Sequence, residues 1–429
     1  MQLSIPEGRR LAILGSMDEF CDLVELARSY GIYTVVVDGY DDGPAKQLAD
    51  RSYLIDPRDT AAIAAMCGEE RVDAIFGTFS DLLAECMVDI SAKAGLPCYA
   101  TPERFSSLRE KPLMKRMFDE LGIAHAHSCV LSSGFQDEDL ADVGFPCVVK
   151  PSNGYGSRGV YIAHDVAFIR EHFDEIASYS IGDDRIIAEA YNNGYEMNMM
   201  SWIVDGKAVI LSIADREKTQ LNEHDIPYVS RIVYPGFFTA ELAHEAQKIV
   251  QAIAEYVGIE TGPLCVQLFY TPGAGIQVCE AAGRIFGYEH ELLELAGGLR
   301  IEELILAHLF DHDALRRMLS GHDCTLSSVA AGLYFHGWEG REVADLSPAV
   351  AAAKTPGVSA FLPYYEIGDT VAHGVGAKPY VCRYYLQAPY RLEVDSLTAD
   401  LFERVHVLDQ AGKDLLYHNQ MSDYPENKA

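Results

Sequence analysis

The amino-acid sequence predicts a mixed α/β and α+β protein: a parallel α/β layer first, a central region built around a mobile flap, and a small, mostly antiparallel region last. Three observations predict it. Residues 11–100 alternate short apolar runs with amphipathic segments, as the strands and crossover helices of a parallel sheet do. From about residue 105 that rhythm gives way to short strands and glycine-rich turns. From about residue 330 the apolar runs GLYFHGW, VSAFLPYY and YVCRYYLQ are punctuated by Gly and Pro, as in a small antiparallel sheet.

The first layer reads LAIL, a helix over Glu19–Tyr30, TVVV, a helix over 59–67, AIFG, and a helix over 81–94. The loop after its first strand, Gly15-Ser16-Met17-Asp18, lacks the second and third glycines of a dinucleotide fingerprint, which disfavours an NAD-dependent oxidoreductase. Asp38, at the end of the second strand, reads as a solvated turn residue rather than a ribose-binding acid. A boundary near 100–105 precedes a helix over Lys111–Leu121. The polar tail Ser422–Ala429 reads as frayed.

Composition narrows the function. At 429 residues and 49% hydrophobic content the chain is globular and long enough for several domains. Its 34 basic against 64 acidic residues give a net charge of −30, which repels phosphate backbones and anionic lipid. Nucleic acid and membrane are therefore excluded as partners, and a polyphosphate ligand needs a local basic pocket or a metal ion. No apolar run reaches the ~18 residues of a membrane span, and Met1–Arg10 lacks the apolar core of a signal peptide, so a cytoplasmic location is expected. The ten cysteines include no C-x-x-C pair and read as reduced, mostly buried thiols.

The strongest local signal runs from Val148 to Val160. An apolar strand ends in Lys150, a loop with Gly154, Gly156 and Gly159 follows, and a second strand returns over Val160–Ala163. Backbone N–H groups of such a flap can close on phosphate oxygens while the lysine supplies a fixed charge. It is not a Walker loop, because Lys150 precedes the glycines and a strand, not a helix, follows. A second constellation is the hairpin Leu264–Tyr270, Thr271-Pro272-Gly273-Ala274-Gly275, Ile276–Glu280. Counting outward from the turn makes Gln267 and Glu280 cross-strand partners, roughly 5 Å apart at Cβ. Mg²⁺ takes one or two oxygen ligands of this kind, with phosphate and water completing its shell. Third, the strand Ile186–Tyr191 carries Glu189, and Glu196 follows a short loop; Met197, Met199 and Met200 read as core filler.

The order of these parts resembles the ATP-grasp superfamily, with a Rossmann-like pre-ATP-grasp α/β domain ahead of it. Glu110-Lys111 precedes a helix; then come the Lys150 flap, Glu189 and Glu196, and Gln267, Glu280 and Arg284. Within it, Glu217-Lys218-Thr219, Glu280-Ala281-Ala282-Gly283-Arg284 and the segment Pro363–Gly374 are similar to the L-amino-acid-ligase-like carboxylate-amine ligases. The resemblance implies a pre-ATP-grasp domain over 1–104, an ATP-grasp domain over 105–310 with its flap subdomain about 125–190, and a C-terminal domain over 311–429. It implies that Lys111 and Lys150 bind phosphates and that Gly154, Tyr155, Gly156, Ser157 and Gly159 cover the triphosphate. Glu189 stands beside the adenine hinge, with Ala190 and Tyr191 offering backbone contacts, and Glu196 matches the ribose-binding acid. Gln267 and Glu280 match metal ligands, and Arg284 and Lys218 act on the transferred group, Lys218 reading alternatively as a surface charge. Ala282 departs from the family pattern, where many relatives place an asparagine ligand. Among the histidines, His290, close to the metal hairpin, is the one to watch.

The activity implied is an ADP-forming ligase: ATP phosphorylates a carboxylate, and an amine attacks the acyl-phosphate. ATP and Mg²⁺, with Mn²⁺ as a substitute, are the expected cofactors. The expected partners are a small-molecule carboxylate and amine, with a homodimer as the expected assembly. The alternatives are a different acceptor (a thiol, or a bicarbonate-type carboxylase) and a non-catalytic ATP-binding module.

Overall fold

Strands β1 (Arg10–Leu14), β2 (Tyr33–Asp38), β3 (Arg51–Leu54) and β4 (Ala74–Phe76) form an all-parallel sheet in the order β3-β2-β1-β4. They belong to a computed structural model that describes residues 2–152, 159–180, 182–374 and 377–425. Helices Cys21–Ser29, Thr60–Glu69 and Asp81–Ala94 alternate with the strands as the sequence predicts. The helix Pro44–Leu48 and strand β3 were not anticipated. β3 is a largely exposed edge strand and lacks the apolar run on which strand recognition depends. Asp38 corrects the expectation of a solvated turn: it is 5% exposed and accepts hydrogen bonds from Ser16 Oγ and the Gly39 N–H, both at 2.6 Å. It ties together the loops that follow β1 and β2.

The helix Asp81–Ala94 starts where the Ser80 hydroxyl accepts the Leu83 N–H, and ends at Gly95 in the left-handed conformation. The helix Lys111–Leu121 buries Met114, Met117 and Phe118, and Lys111 and Lys115 lie one turn apart along the flank of that buried face.

A second sheet holds β5 (Ser128–Leu131), β6 (Cys147–Pro151), β7 (Tyr161–Ala163) and β8 (Ile186–Ala190) in the antiparallel order β5-β8-β6-β7. It packs on the helix Val166–Ser178 through a small core of its own that includes Val149, Ile169, Phe173 and Ile186. The β6–β7 pair supplies the strand and the returning strand read from the sequence.

The third sheet has eight antiparallel strands: β9 (Tyr195–Val204), β10 (Lys207–Thr219), β11 (Tyr228–Tyr234), β12 (Gly262–Thr271), β13 (Gly275–Ala282), β14 (Val329–Phe335), β15 (Val358–Pro363) and β16 (Cys382–Ala388). Their order is β13-β12-β9-β10-β11-β14-β16-β15. The three C-terminal apolar runs form antiparallel strands as expected, and they extend the central sheet through the pairing of β11 with β14. The helix Arg391–Arg404 is fastened to that sheet by Arg391, which pairs with Asp215 at 2.6 Å and Glu217 at 3.2 Å.

The tail differs from its frayed expectation over 422–425. The Ser422 N–H donates to Glu217 Oε2 at 3.0 Å, and Tyr424 stacks on Tyr195 and Phe237 with ring centroids 5.2 and 5.0 Å away. An aromatic anchor in a polar segment holds it down. Residues 426–429 lie outside the described residues. All ten cysteines are free; Cys67, Cys86, Cys147, Cys265 and Cys382 are buried and Cys98 is exposed. Among the described residues, no helix is long and apolar enough to cross a membrane.

Candidate active site

A cavity of about 1180 Å³ is lined by β6 and β8 of the small sheet, by β9, β10, β12 and β13 of the large sheet, and by the Phe79–Leu82 segment of the first layer. Lys111, Lys150, Glu189, Glu196, Lys218, Gln267, Glu280 and Arg284 all line it, so residues spread over more than 170 positions of sequence meet in one place.

Lys150 and Glu189 are diagonal neighbours on β6 and β8, and the Lys150 Nζ lies 2.6 Å from Glu189 Oε2. Lys115 pairs with the other carboxylate oxygen. Burial works against ionising the Glu189 carboxyl, but the two lysines outweigh it and hold it down to about 2. Burial likewise opposes the charge on Lys150, and Glu189 reverses the effect and raises it. The carboxylate read as an adenine-hinge acid is thus engaged by two lysines. Ala190 and Tyr191 line the same cavity, but their backbone N–H groups already donate to the carbonyls of His127 and Pro146. Burial lowers the Lys111 ammonium, against the opposing pull of Glu280.

Glu196 on β9 is buried and ion-paired with both Arg216 and Lys218 of β10. It also accepts a hydrogen bond from Gln267 Nε2 of β12 at 2.6 Å. Burial would raise its carboxyl, yet Lys218 and Arg216 turn the balance and lower it. Lys218 is therefore a cavity residue and not a surface charge, and burial lowers its ammonium. Glu217 faces the other way, toward Arg231 and Arg391.

Gln267 and Glu280 are cross-strand partners, as counting from the turn predicts. The route is less simple than the count. The hairpin pairs Thr271 with Gly275 and Leu268 with Val278, and a one-residue bulge that leaves out Cys279 then brings Gln267 opposite Glu280. Ala282 lines the cavity too, opposite Cys265. Arg284 reaches back to the first layer: its Nε lies 2.7 Å from Asp81 Oδ1 and its Nη2 3.3 Å from Oδ2. This two-pronged pair fixes the plane of the guanidinium.

Gly154, Tyr155, Gly156 and Ser157 lie outside the described residues. Gly159 has φ +65°, and a Cβ there would meet the Tyr179 ring at 2.5 Å, so the return from the loop requires glycine. His290 is buried outside the cavity lining, stacked on Phe79 with its Nε2 2.8 Å from Glu302 Oε1. Burial alone would lower its imidazole, but Glu291 and Glu302 raise it to about 10. Its role is structural.

Sequence reasoning missed Lys115, Arg216, Asn198, Asp81 and Glu289. Two of these had a local signal. Lys115 lies one helical turn after Lys111, and Arg216 lies two residues before Lys218 on the same strand face.

Residues 143–290 match the family model described as the ATP-grasp domain, and the segment contains the flap, both acidic positions, the hairpin and Arg284. The chain contains an ATP-grasp domain. Among similar proteins, the formate-dependent phosphoribosylglycinamide formyltransferase of Methanocaldococcus jannaschii is 29% identical over 197 residues, covering 45% of this chain and 50% of that protein. The phosphoribosylaminoimidazole carboxylase of Ogataea methanolica is 30% identical over 307 residues, covering 70% of this chain and 49% of that protein. The chain thus spans about half the length of these relatives. In fold it is similar to the L-amino acid ligase of Bacillus licheniformis, with a TM-score of 0.77 at 16% identity over 94% of this chain and all of that one. N5-carboxyaminoimidazole ribonucleotide synthetase of Thermotoga maritima gives a TM-score of 0.70, also at 16% identity, with 94% of this chain and 100% of that one covered.

Proposed function

We propose that this ATP-grasp protein is an ADP-forming ligase that activates a carboxylate as an acyl-phosphate and joins it to an amine. The observation that carries the reading is the convergence of Lys111, Lys150, Arg216, Lys218 and Arg284 with the Gln267–Glu280 pair in one cavity of a chain whose net charge is −30. Several of these cations are held in place by acids of the same cavity, which leaves them positioned to receive phosphate oxygens. The formyltransferase and carboxylase names among the relatives fit a family that works on small carboxylates or carbon dioxide equivalents.

The donor set suits a hard cation. The Gln267 amide donates its N–H to Glu196, so its carbonyl oxygen is the atom it has to offer a cation. Gln267 and Glu280 would hold Mg²⁺, or Mn²⁺ in its place, and the ion would supply charge neutralisation on the phosphates. Lys150 and Lys111 bind the phosphates of ATP. Arg284, oriented by Asp81, and Lys218 steady the group in transfer. A carboxylate oxygen attacks the γ-phosphorus, the bond to the β,γ-bridging oxygen breaks, and ADP leaves. The amine then attacks the acyl carbon, the carbon–oxygen bond to phosphate breaks, and the amine nitrogen gives up its proton. The protein needs no covalent nucleophile, only positioning and charge. The division at 104 and 310, a homodimeric assembly and a cytoplasmic setting complete the proposal.

The test is an ATP-dependent hydroxamate assay with hydroxylamine in place of the amine and the common amino acids and small carboxylates as acids. The reading expects a hydroxamate with ADP and phosphate. AMP and pyrophosphate would mean adenylation and overturn it.

A further inference from the structure

Glu289 and Asn198 are both 3% exposed and both line the cavity, one from the segment after β13 and one from β9. Asn198 Nδ2 donates to Glu289 Oε1 at 2.7 Å. Among the described residues, Glu289 Oε2 and Asn198 Oδ1 are left buried without a hydrogen-bond partner. The nearby cations are already engaged: Arg216 by Glu196, and Arg284 by Asp81. The Tyr234 hydroxyl sits beside the carboxylate without meeting hydrogen-bond geometry. Burial raises the Glu289 carboxyl to about 7, against the pull of Arg216.

Two adjacent buried acceptors, one of them a carboxylate, are costly to leave unpaired. They call for a ligand rich in donors. An ammonium brings three N–H bonds and the compensating charge, whereas a carboxylate or phosphate would bring further acceptors and like charge. The wall next to them is aromatic: Tyr380 lies 5.0 Å from Tyr334, 5.2 Å from His336 and 5.8 Å from Tyr288 between ring centroids. The Tyr334 hydroxyl donates to the Tyr288 carbonyl at 2.8 Å, so its polar tip is used within the protein. Such rings receive apolar or aromatic groups, and their faces also favour a cation.

We infer that Glu289 and Asn198 form the amine subsite of the cavity, taking the ammonium of a primary amine whose body is aromatic or apolar and rests on Tyr288 and Tyr380. The inference rests on the ligase reading and names which end of the cavity the acceptor occupies. Glu289 lies within electrostatic reach of Arg284 and Arg216, so the nitrogen held there stands next to the place assigned to the acyl-phosphate.

The experiment is calorimetry on the full chain saturated with Mg-ADP, with three probes: L-phenylalaninamide, 3-phenylpropionamide (the same body without the ammonium) and glycinamide. L-phenylalaninamide binds best, and the other two bind at least about tenfold more weakly, the scale expected for a lost charged hydrogen bond or a lost ring contact. Glu289→Gln weakens L-phenylalaninamide by at least about tenfold, leaves Mg-ADP affinity unchanged and leaves the unfolding midpoint the same or higher, since it removes an unpaired buried charge. The inference is overturned if wild type does not bind L-phenylalaninamide, if 3-phenylpropionamide or glycinamide binds as tightly, or if the variant binds the amine like wild type. Failure of Mg-ADP to bind at the outset would instead count against the ligase reading.

Discussion

Replacing Glu189 by glutamine keeps the shape of the side chain but removes the carboxylate that pairs with both Lys150 and Lys115, leaving two cations, one of them buried, facing each other. The carboxyl is 6% exposed and held at about 2 against an ordinary value of 4.5. At about 1.4 kcal/mol for each tenfold change in acidity, the folded state gains on the order of 3 kcal/mol from the ionised form. That agrees with the ~3–5 kcal/mol lost when one partner of a buried pair is removed. With an unfolding entropy of roughly 0.9 kcal/mol/K for 429 residues, the midpoint of thermal unfolding should drop by about 3–4 °C at pH 7. The sign of the pH dependence follows from a depressed carboxyl. The gap between wild type and variant is full above pH 4.5, narrows below it, and closes as pH falls through about 2. The assay is thermal unfolding by circular dichroism from pH 7 to pH 3, with and without Mg-ATP. Because phosphate replaces the missing negative charge, Mg-ATP should raise the midpoint of the variant more than that of wild type. Equal midpoints at pH 7, or an equal response to Mg-ATP, would refute the assignment of Lys150 as a phosphate-binding lysine held ready by Glu189.

Glu280→Ala should abolish turnover, seen as ADP release, while far-ultraviolet circular dichroism stays as in wild type, because the proposed metal ligand is lost but little packing is. Ala282→Asn, which restores an oxygen the family pattern carries, should lower the free Mg²⁺ needed for half-maximal rate at fixed Mg-ATP; superimposable titrations would show that the position takes no part in metal binding. Asp81→Asn removes the charge that orients Arg284 and should lower kcat by about tenfold to a hundredfold with little change in KM for ATP, read by steady-state kinetics. His290 is raised to about 10 in the folded state, so its contribution is full below its ordinary value of 6.5 and is lost as pH rises through 10. The urea midpoint of His290→Gln should therefore fall short of wild type at pH 6 and approach it by pH 10.

What the sequence made legible was what neighbouring residues decide. The β6–β7 strand pair, the hairpin of β12 and β13 and the alternation of the first layer are encoded in short windows of apolar period and glycine position. The Gln267–Glu280 pairing came out as counted because the bulge at Cys279 offsets a turn centred half a residue earlier than assumed. The partners of the acids were not legible. Glu189 meets Lys115 across 74 positions and Arg284 meets Asp81 across 203, and no local pattern reports such contacts. The same holds for Glu289, whose significance lies in a missing partner that only the packed structure shows. Asp38 and the tail failed for one reason: polarity was taken as exposure, whereas Ser16 satisfies the first and Tyr424 anchors the second.

The measurement that tests the central claim most directly is isotope transfer. A carboxylate that the enzyme accepts in the hydroxamate assay is labelled with ¹⁸O in both oxygens and turned over with ATP, Mg²⁺ and amine, and the products are read by phosphorus nuclear magnetic resonance and mass spectrometry. Activation as an acyl-phosphate predicts one ¹⁸O in each inorganic phosphate released and none in ADP. Label found in AMP, or unlabelled phosphate formed alongside the amide, would contradict it.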